Sequence, residues 1–238
     1  MERWSIFIDI EGFSALWEHD VQVLRSLADL MEGIYQIGCQ CYPNSPDRIF
    51  AHQLGDGFII VSDFGSESLE VPIAISVALM RHVGAGGRFA SAAVTTGGFA
   101  DIASFYPPSI RNAIVEGGRV PMGSGILTVF PVMGTALIRA YGLNRKAPRG
   151  SLLAIKRSDQ PRIPACFLVQ PHHESDTVLV DWIHSESALV SRLQAGAGLR
   201  APEARQLERA VLGYCNNHHP PTAWRENTIK FLSVTQDT

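Results

Sequence analysis

The stretch that decides the fold is IFIDIEGFS, which runs from Ile6 to Ser14. Residues 3–10 form an apolar run that reads as a buried strand, and this strand carries Asp9 close to its end. Gly12 then breaks the strand, and Ser14 is a suitable N-cap for the amphipathic helix that the following residues predict. A carboxylate beside a turn and a helix start is typical of a site for a hydrated cation and a phosphate group, because N–H groups at a helix start bind phosphate oxygens.

A second stretch, QLGDGF, contains Asp56. Residues 47–54 and 57–63 read as two strands, and the Gly-Asp-Gly turn between them strongly favours a β-hairpin. If this hairpin pairs beside the first strand, Asp9 and Asp56 meet at one edge of the sheet. Each aspartate alone is more often a helix-start or turn residue. The pair, in this order, predicts a site for Mg²⁺ and a nucleoside triphosphate.

Together the two stretches resemble the metal-binding motifs of class III nucleotidyl cyclases, which read Phe-x-Asp-Ile-x-Gly-Phe-Ser and Leu-Gly-Asp-Gly-Phe. The first motif is matched from Phe7 to Ser14, and the second from Leu54 to Phe58. Weaker similarities follow at residues 92–98 and 134–141. The resemblance therefore covers about residues 3–157.

This resemblance implies a fold, a dimer and a reaction. The fold is α/β (α+β), with a ferredoxin-like class III cyclase domain over residues 1–184 and a C-terminal helical extension over residues 185–238. In the family, two domains pair head to tail, and each active site takes its metal aspartates from one subunit and other groups from the partner. The ribose 3′-hydroxyl attacks the α-phosphate, which yields a 3′,5′-cyclic nucleotide and pyrophosphate.

The resemblance also assigns a cofactor and its ligands. We expect two divalent cations, Mn²⁺ or Mg²⁺, held by Asp9, Asp56 and the backbone of Ile10. One cation would lower the pKa of the ribose 3′-hydroxyl, and the other would neutralise the triphosphate. The two aspartates are thus expected to be catalytic.

Substrate contacts are expected at the turn after the first strand, where Gly12, Phe13 and Ser14 would bind phosphate. A catalytic cation is harder to place, since classical members carry Asn and Arg on their last helix where this chain has Ile138 and Gly142. Arg139 is the candidate for this role. Arg145 lies nearby and is the alternative.

The positions that read the base differ from those of purine cyclases. Adenylate cyclases carry Lys, and guanylate cyclases Glu, where this chain has His52. The acceptor for the adenine amine is replaced by Pro131, and a site without the groups that pair a base edge discriminates against that base. Phe50 lies two residues before His52, so both side chains share one face of a strand, where the phenyl ring would fill the space that a purine needs.

A narrower resemblance follows from residues 48–58 and 97–102, which are similar to the bacterial pyrimidine cyclases of Pycsar anti-phage systems. Those enzymes make cyclic UMP or cyclic CMP as an alarm signal. The resemblance implies UTP, or else CTP, as substrate and a separate cyclic-nucleotide-sensing effector protein as the reader of the product.

Three alternatives stay open at this stage. One is a purine cyclase, and another is a catalytically weak cyclase-like protein that binds nucleotide and signals through a partner. The third is a diguanylate-type or polymerase-palm enzyme. Diguanylate cyclases carry a Gly-Gly-Asp/Glu-Glu-Phe hairpin, which residues 55–58 do not reproduce.

Composition limits the partners that the chain is expected to have. Its 238 residues carry a net charge of −3, which does not indicate a nucleic-acid-binding surface. Neither a signal peptide nor an apolar stretch long enough to span a membrane is recognisable, so we expect a cytoplasmic protein without a membrane partner. Residues 103–125, rich in Gly and Pro, are expected to form a long connection near the substrate.

Overall fold

A computed structural model describes residues 2–13, 21–44, 47–65, 67–115, 117–129, 132–172 and 175–234. Ser14 and Pro131, both singled out from the sequence, lie outside the described residues. The strands are β1 (Arg3–Ile10), β2 (Ile49–Leu54), β3 (Gly57–Gly65), β4 (Ala90–Gly97), β5 (Ala100–Asp101), β6 (Arg119–Met122), β7 (Gly125–Thr128), β8 (Val132–Met133), β9 (Leu153–Lys156), β10 (Val169–His172) and β11 (Thr177–Val180). The helices are α1 (Val21–Cys41), α2 (Glu70–Gly84), α3 (Pro108–Ala113), α4 (Thr135–Lys146), α5 (Ala188–Gly196), α6 (Ala204–His218) and α7 (Thr222–Phe231), with 3₁₀ turns at Ala103–Phe105 and Arg157–Arg162.

The first four strands form the part of the sheet that carries the predicted motifs. They run through the order β4-β1-β3-β2, with helices connecting β1 to β2 and β3 to β4. Each neighbouring pair is antiparallel. This is the β-α-β-β-α-β arrangement of ferredoxin-like folds, so the strand order confirms the predicted mixed α/β fold.

Three further strands extend the sheet beyond β4. Strand β9 pairs with β4 in parallel, and β11 and β10 follow antiparallel, which gives a seven-stranded sheet in the order β10-β11-β9-β4-β1-β3-β2. Strands β9, β10 and β11 therefore belong to the same sheet as the two motifs.

The main core lies on one face of this sheet. Alternate residues of β1, including Ile6, Ile8 and Ile10, are buried there against α1 and α2. Burial of each such side chain stabilises the fold by about 1.5–3 kcal/mol. The C-terminal helices add Val211 and Trp224 to this same core. Residues on both sides of the expected boundary at 184/185 thus share one hydrophobic cluster.

The opposite face carries a smaller core under α4. Phe7, Ile59 and Val61 of the sheet pack there with Leu137 and Ala140 of the helix. Because residues two apart in a strand share a face, Asp9 projects on the same side as Phe7. The register places Asp9 beside Gly57 of β3 and Ser91 of β4.

The segment after β4 is more structured than a plain connection. Residues 103–125 contain a 3₁₀ turn, the short helix α3 and strand β6, which pairs with β7 in a separate hairpin. Strand β7 ends at Thr128, and Gly123, with φ +60°, makes the tight turn before it. In the described part of the chain, we find no helix long and apolar enough to cross a membrane.

Candidate functional site

Asp9 lies near the end of β1 with one oxygen left without a partner. Its Oδ1 atom is buried and makes no hydrogen bond. A Cβ atom built on the neighbouring Gly57 would come within 3.1 Å of this oxygen, so the glycine leaves open the space beside it. Buried polar atoms are nearly always satisfied, and an exception calls for an explanation such as an ion to be bound.

Asp56 occupies the two-residue turn between β2 and β3, as the hairpin signal predicts. The turn begins at Gly55, whose φ of +68° suits the first position of a type II′ turn. Burial, followed by the charges of Asp56 and Glu11, raises the pKa of Asp9 to about 7. The two predicted metal aspartates are therefore close enough to repel each other.

Glu11 is a third carboxylate at this site, and the sequence analysis missed it. Its backbone N–H donates to the carbonyl of Phe89 at 2.9 Å, and the indole Nε1 of Trp224 donates to its Oε2 at 3.0 Å. Burial raises the pKa of the Glu11 carboxyl, while hydrogen bonds from Ser91 and Trp224 act in the opposite direction. The partner in α7 is 213 residues away along the chain, so no local sequence signal could have revealed this contact.

Asp9 and Glu11 face a cavity of about 480 Å³. The sheet contributes its floor, the end of α4 and the segment after it form one wall, and the α6–α7 connection forms another. Its lining residues are Asp9, Glu11, Gly12, Ser91, Asn144, Arg145, Ala147, Pro148, Arg149, Leu152, Tyr214, His218, His219, Pro220, Pro221 and Trp224. A cavity of this size falls within the range of small-molecule sites. We call it the carboxylate cavity.

The arrangement of carboxylates fits a divalent cation whose coordination shell is completed by the substrate. Among the described residues, no group of three His, Cys, Asp or Glu side chains is placed to hold a metal ion. Mg²⁺ commonly uses only one or two carboxylates together with substrate phosphates. Asp9, with its unsatisfied oxygen, and Asp56 supply these two, and Ile10 can contribute only its backbone carbonyl because its side chain is a hydrocarbon.

Gly12 and Phe13, two of the residues predicted to bind phosphate, form the turn directly after β1. Gly12 is exposed and has φ +74°, a conformation that other residues rarely adopt. Phe13 is half-buried and packs against the main core, which anchors the turn from below. Gly12 also lines the carboxylate cavity, so the structure brings it together with Asp9.

The two residues expected to contact the base of the nucleotide lie in a different cavity, which we call the base-side cavity. Phe50 and His52 line a space of about 390 Å³ that shares no lining residue with the carboxylate cavity. The guanidinium of Arg48 lies 5.1 Å from the centre of the Phe50 ring and is held by Asp63 at 2.8 Å. Burial lowers the pKa of His52, which favours a neutral imidazole at pH 7.

Within one chain, Arg139 lies far from the carboxylate of Asp9. Its Nη1 donates to the carbonyl of Thr96 at 3.1 Å, at the far end of β4. Thr96 is five residues from Ser91, the partner of Asp9, which corresponds to roughly 17 Å along the strand. Arg145, the alternative cation, and Arg149, which the sequence analysis did not consider, both line the carboxylate cavity.

No protein-family model matches this chain, and no curated protein sequence matches it. Among solved structures, it is similar to a bacterial light-regulated adenylyl cyclase, with a TM-score of 0.43 and 15% identity over 83% of this chain and 58% of that one. It is also similar to the guanylyl cyclase Cya2, with a TM-score of 0.42 and 12% identity over 76% of this chain and 90% of that one.

A third similar structure is a class III adenylyl cyclase-like ATP-binding protein from Pseudomonas aeruginosa. Its TM-score is 0.39 and its identity 12%, over 70% of this chain and 35% of that one. The chain thus spans less than two thirds of two of these three proteins. The strand order and the register of the sheet, rather than these scores, define the fold described above.

Proposed function

We propose that this chain is a class III-type nucleotidyl cyclase that converts a pyrimidine nucleoside triphosphate, UTP in preference to CTP, into its 3′,5′-cyclic monophosphate and pyrophosphate. The observation that carries this proposal is the pair Asp9, near the end of β1, and Asp56, in the turn that leads into the neighbouring strand β3 of a ferredoxin-like sheet. Asp9 has a buried oxygen without a partner, and burial, followed by the charges of Asp56 and Glu11, raises its pKa. A divalent cation satisfies both conditions.

The residues of the site have separate roles in this proposal. Divalent cations bound by Asp9, Asp56 and the Ile10 backbone would lower the pKa of the ribose 3′-hydroxyl and neutralise the triphosphate. The turn at Gly12 presents backbone N–H groups to phosphate oxygens. Phe13 holds that turn against the core, so that the phosphates meet a fixed surface.

A homodimer with composite sites is part of the proposal. The base-side cavity around Phe50 and the carboxylate cavity open separately, and Arg139 lies at the other end of the sheet from Asp9. A second subunit that turns its own base-side cavity and Arg139 toward these carboxylates would complete each site. The outer face of α4 offers an apolar surface for such pairing, because Ile138 is 64% and Tyr141 44% exposed.

Preference for a pyrimidine is supported by the shape of the base-side cavity. The ring of Phe50 and the neutral imidazole of His52 stand on one strand face, where a purine cyclase would need a charged reader of the base edge. We propose further that the product is an antiviral signal read by a separate effector protein. This part rests on the resemblance of residues 48–58 and 97–102 to pyrimidine cyclases of anti-phage systems.

The decisive experiment incubates the purified protein with Mn²⁺ and ATP, GTP, CTP or UTP separately, and identifies the products by mass spectrometry. We expect cyclic UMP, or cyclic CMP, from the wild type and none from Asp56→Ala. Cyclic AMP or cyclic GMP would refute the pyrimidine preference while keeping the reaction. Absence of any cyclic product would favour the second candidate, a nucleotide-binding cyclase relative, which the aligned Ile138 and Gly142 already support.

A further inference from the structure

The C-terminal helices form one side of the carboxylate cavity. Tyr214, His218 and His219 from the end of α6, with Trp224 from α7, face the sheet across the cavity. These residues lie beyond the part of the sequence that resembles cyclase motifs. The sequence analysis assigned no role to them.

This wall is fixed to the site by hydrogen bonds at several points. Trp224 is 4% exposed and donates to Glu11, and Thr228 of the same helix accepts from the backbone N–H of Ser151 at 3.0 Å. Asn227 donates to the carbonyl of Arg149 at 2.9 Å. Helix α7 is therefore hydrogen-bonded both to Glu11 and to the segment that carries Arg149.

The charges around the cavity are of both signs and lie on different walls. Asp9 and Glu11 occupy the sheet side, whereas Arg145 and Arg149 follow from the end of α4. His218 and His219 add nitrogen donors from the opposite wall. A polyphosphate with its divalent cation complements such a surface, since the cation meets the carboxylates and the phosphates meet the arginines.

We propose that the carboxylate cavity binds the pyrophosphate end of the substrate and then the released pyrophosphate, with Arg149 and His219 as binding residues. This inference rests on the proposed function for the origin of the pyrophosphate. Under this proposal, helices α6 and α7 form part of the active site of their own chain. The side chain of Arg149 is exposed, so its guanidinium is available to such a ligand.

The test measures binding of inorganic pyrophosphate, in the presence of Mn²⁺, to the full-length protein by titration calorimetry. We expect Arg149→Gln to weaken pyrophosphate binding about tenfold, because it removes one charge-assisted hydrogen bond, and His219→Gln to weaken it by a smaller factor. Lys146→Gln is the matched control: it removes one charge in the same segment, and Lys146 does not line the cavity. The side chain of Arg149 is exposed, and its contact with Asn227 is made by its backbone carbonyl, so the substitution leaves this contact in place.

The outcomes separate this inference from the proposed function. Unchanged pyrophosphate affinity in Arg149→Gln and His219→Gln would overturn the inference, even if the wild type makes a cyclic nucleotide. An equal loss in Lys146→Gln would also overturn it, since a general charge effect would then explain the result. Specific loss in Arg149→Gln without any cyclic product would support the cavity as a polyphosphate site and refute the cyclase activity.

Discussion

At the level of single residues, the carboxyl group of Asp9 is poorly suited to carry a charge, because it is buried near the charges of Asp56 and Glu11. Its pKa is raised from 3.8 to about 7, so between these values the folded state holds a proton that the unfolded state has lost. The free energy of unfolding must then fall as the pH rises through this range. The residue that is proposed to bind the cation therefore destabilises the protein when no cation is present.

Asp9→Asn should remove this penalty. Because Asp9 is half-buried and partly screened by solvent, we expect the metal-free variant to be about 1–2 kcal/mol more stable than wild type at pH 8 and little changed at pH 4. Urea unfolding in the presence of a chelator at both pH values measures the difference. Equal stabilisation at the two pH values would show that the charge of Asp9 is not its cause.

Individual residues also show where sequence reasoning reaches its limit. Asp9, Asp56 and the glycines beside them could be placed because strand ends and tight turns leave local signals. Glu11 could not, because what distinguishes it is a hydrogen bond from Trp224, a contact between distant parts of the chain. The separation of Arg139 from Asp9 was equally hidden, since it depends on the direction in which α4 crosses β4.

At the level of elements, the hairpin of β2 and β3 positions Asp56 and also makes room for Asp9. A Cβ atom at Gly57 would come within 2.8 Å of the Phe7 ring and 3.1 Å of Asp9 Oδ1. The glycine is thus required by close approach between two strands rather than by its own backbone conformation.

Gly57→Ala should displace Phe7 or Asp9 and so weaken both folding and cation binding. We expect a loss of about 1–3 kcal/mol in the free energy of unfolding, together with weaker Mn²⁺ binding in calorimetry. Gly142→Ala in α4 is the control, because a Cβ atom there meets nothing within 4 Å and a helix gains from alanine. Loss of stability in the control alone would contradict this account of the hairpin.

Elements were predicted with uneven success for a physical reason. Strands β1 and β3 are buried on both faces or flanked by glycine turns, and their bounds nearly match the expected ones. Strand β6 and its pairing with β7 were not predicted, because the residues of this hairpin are mostly exposed and lack the alternation that marks a half-buried strand. Apart from the buried Val120, its apolar side chains, including Met122 and Ile126, are exposed to solvent.

At the level of the whole molecule, the separation of the two cavities predicts a site made by two chains. If Arg139 acts on the partner's carboxylates, then Asp56→Ala and Arg139→Ala homodimers are both inactive. A mixture of the two variants should regain about a quarter of wild-type turnover, since half of the dimers are mixed and each holds one intact site. Cyclic nucleotide formation after refolding the variants together measures this.

Two outcomes would argue against composite sites. No recovery in the mixture, although mixed dimers form, would place Arg139 and Asp56 in the same chain's site. Full activity of Arg139→Ala alone would direct attention to Arg145, which lines the carboxylate cavity within one chain.

The hydrogen bond from Trp224 to Glu11 has a consequence for how the protein can be observed. The sequence contains four tryptophans, of which Trp4 and Trp182 are fully buried and Trp17 lies outside the described residues. Trp224 alone among the described indoles donates directly to a carboxylate of the candidate site. Its fluorescence emission should therefore shift when a cation or a phosphate alters the field at Glu11. The molecule thus carries its own optical reporter of ligand binding, which needs no label and no turnover.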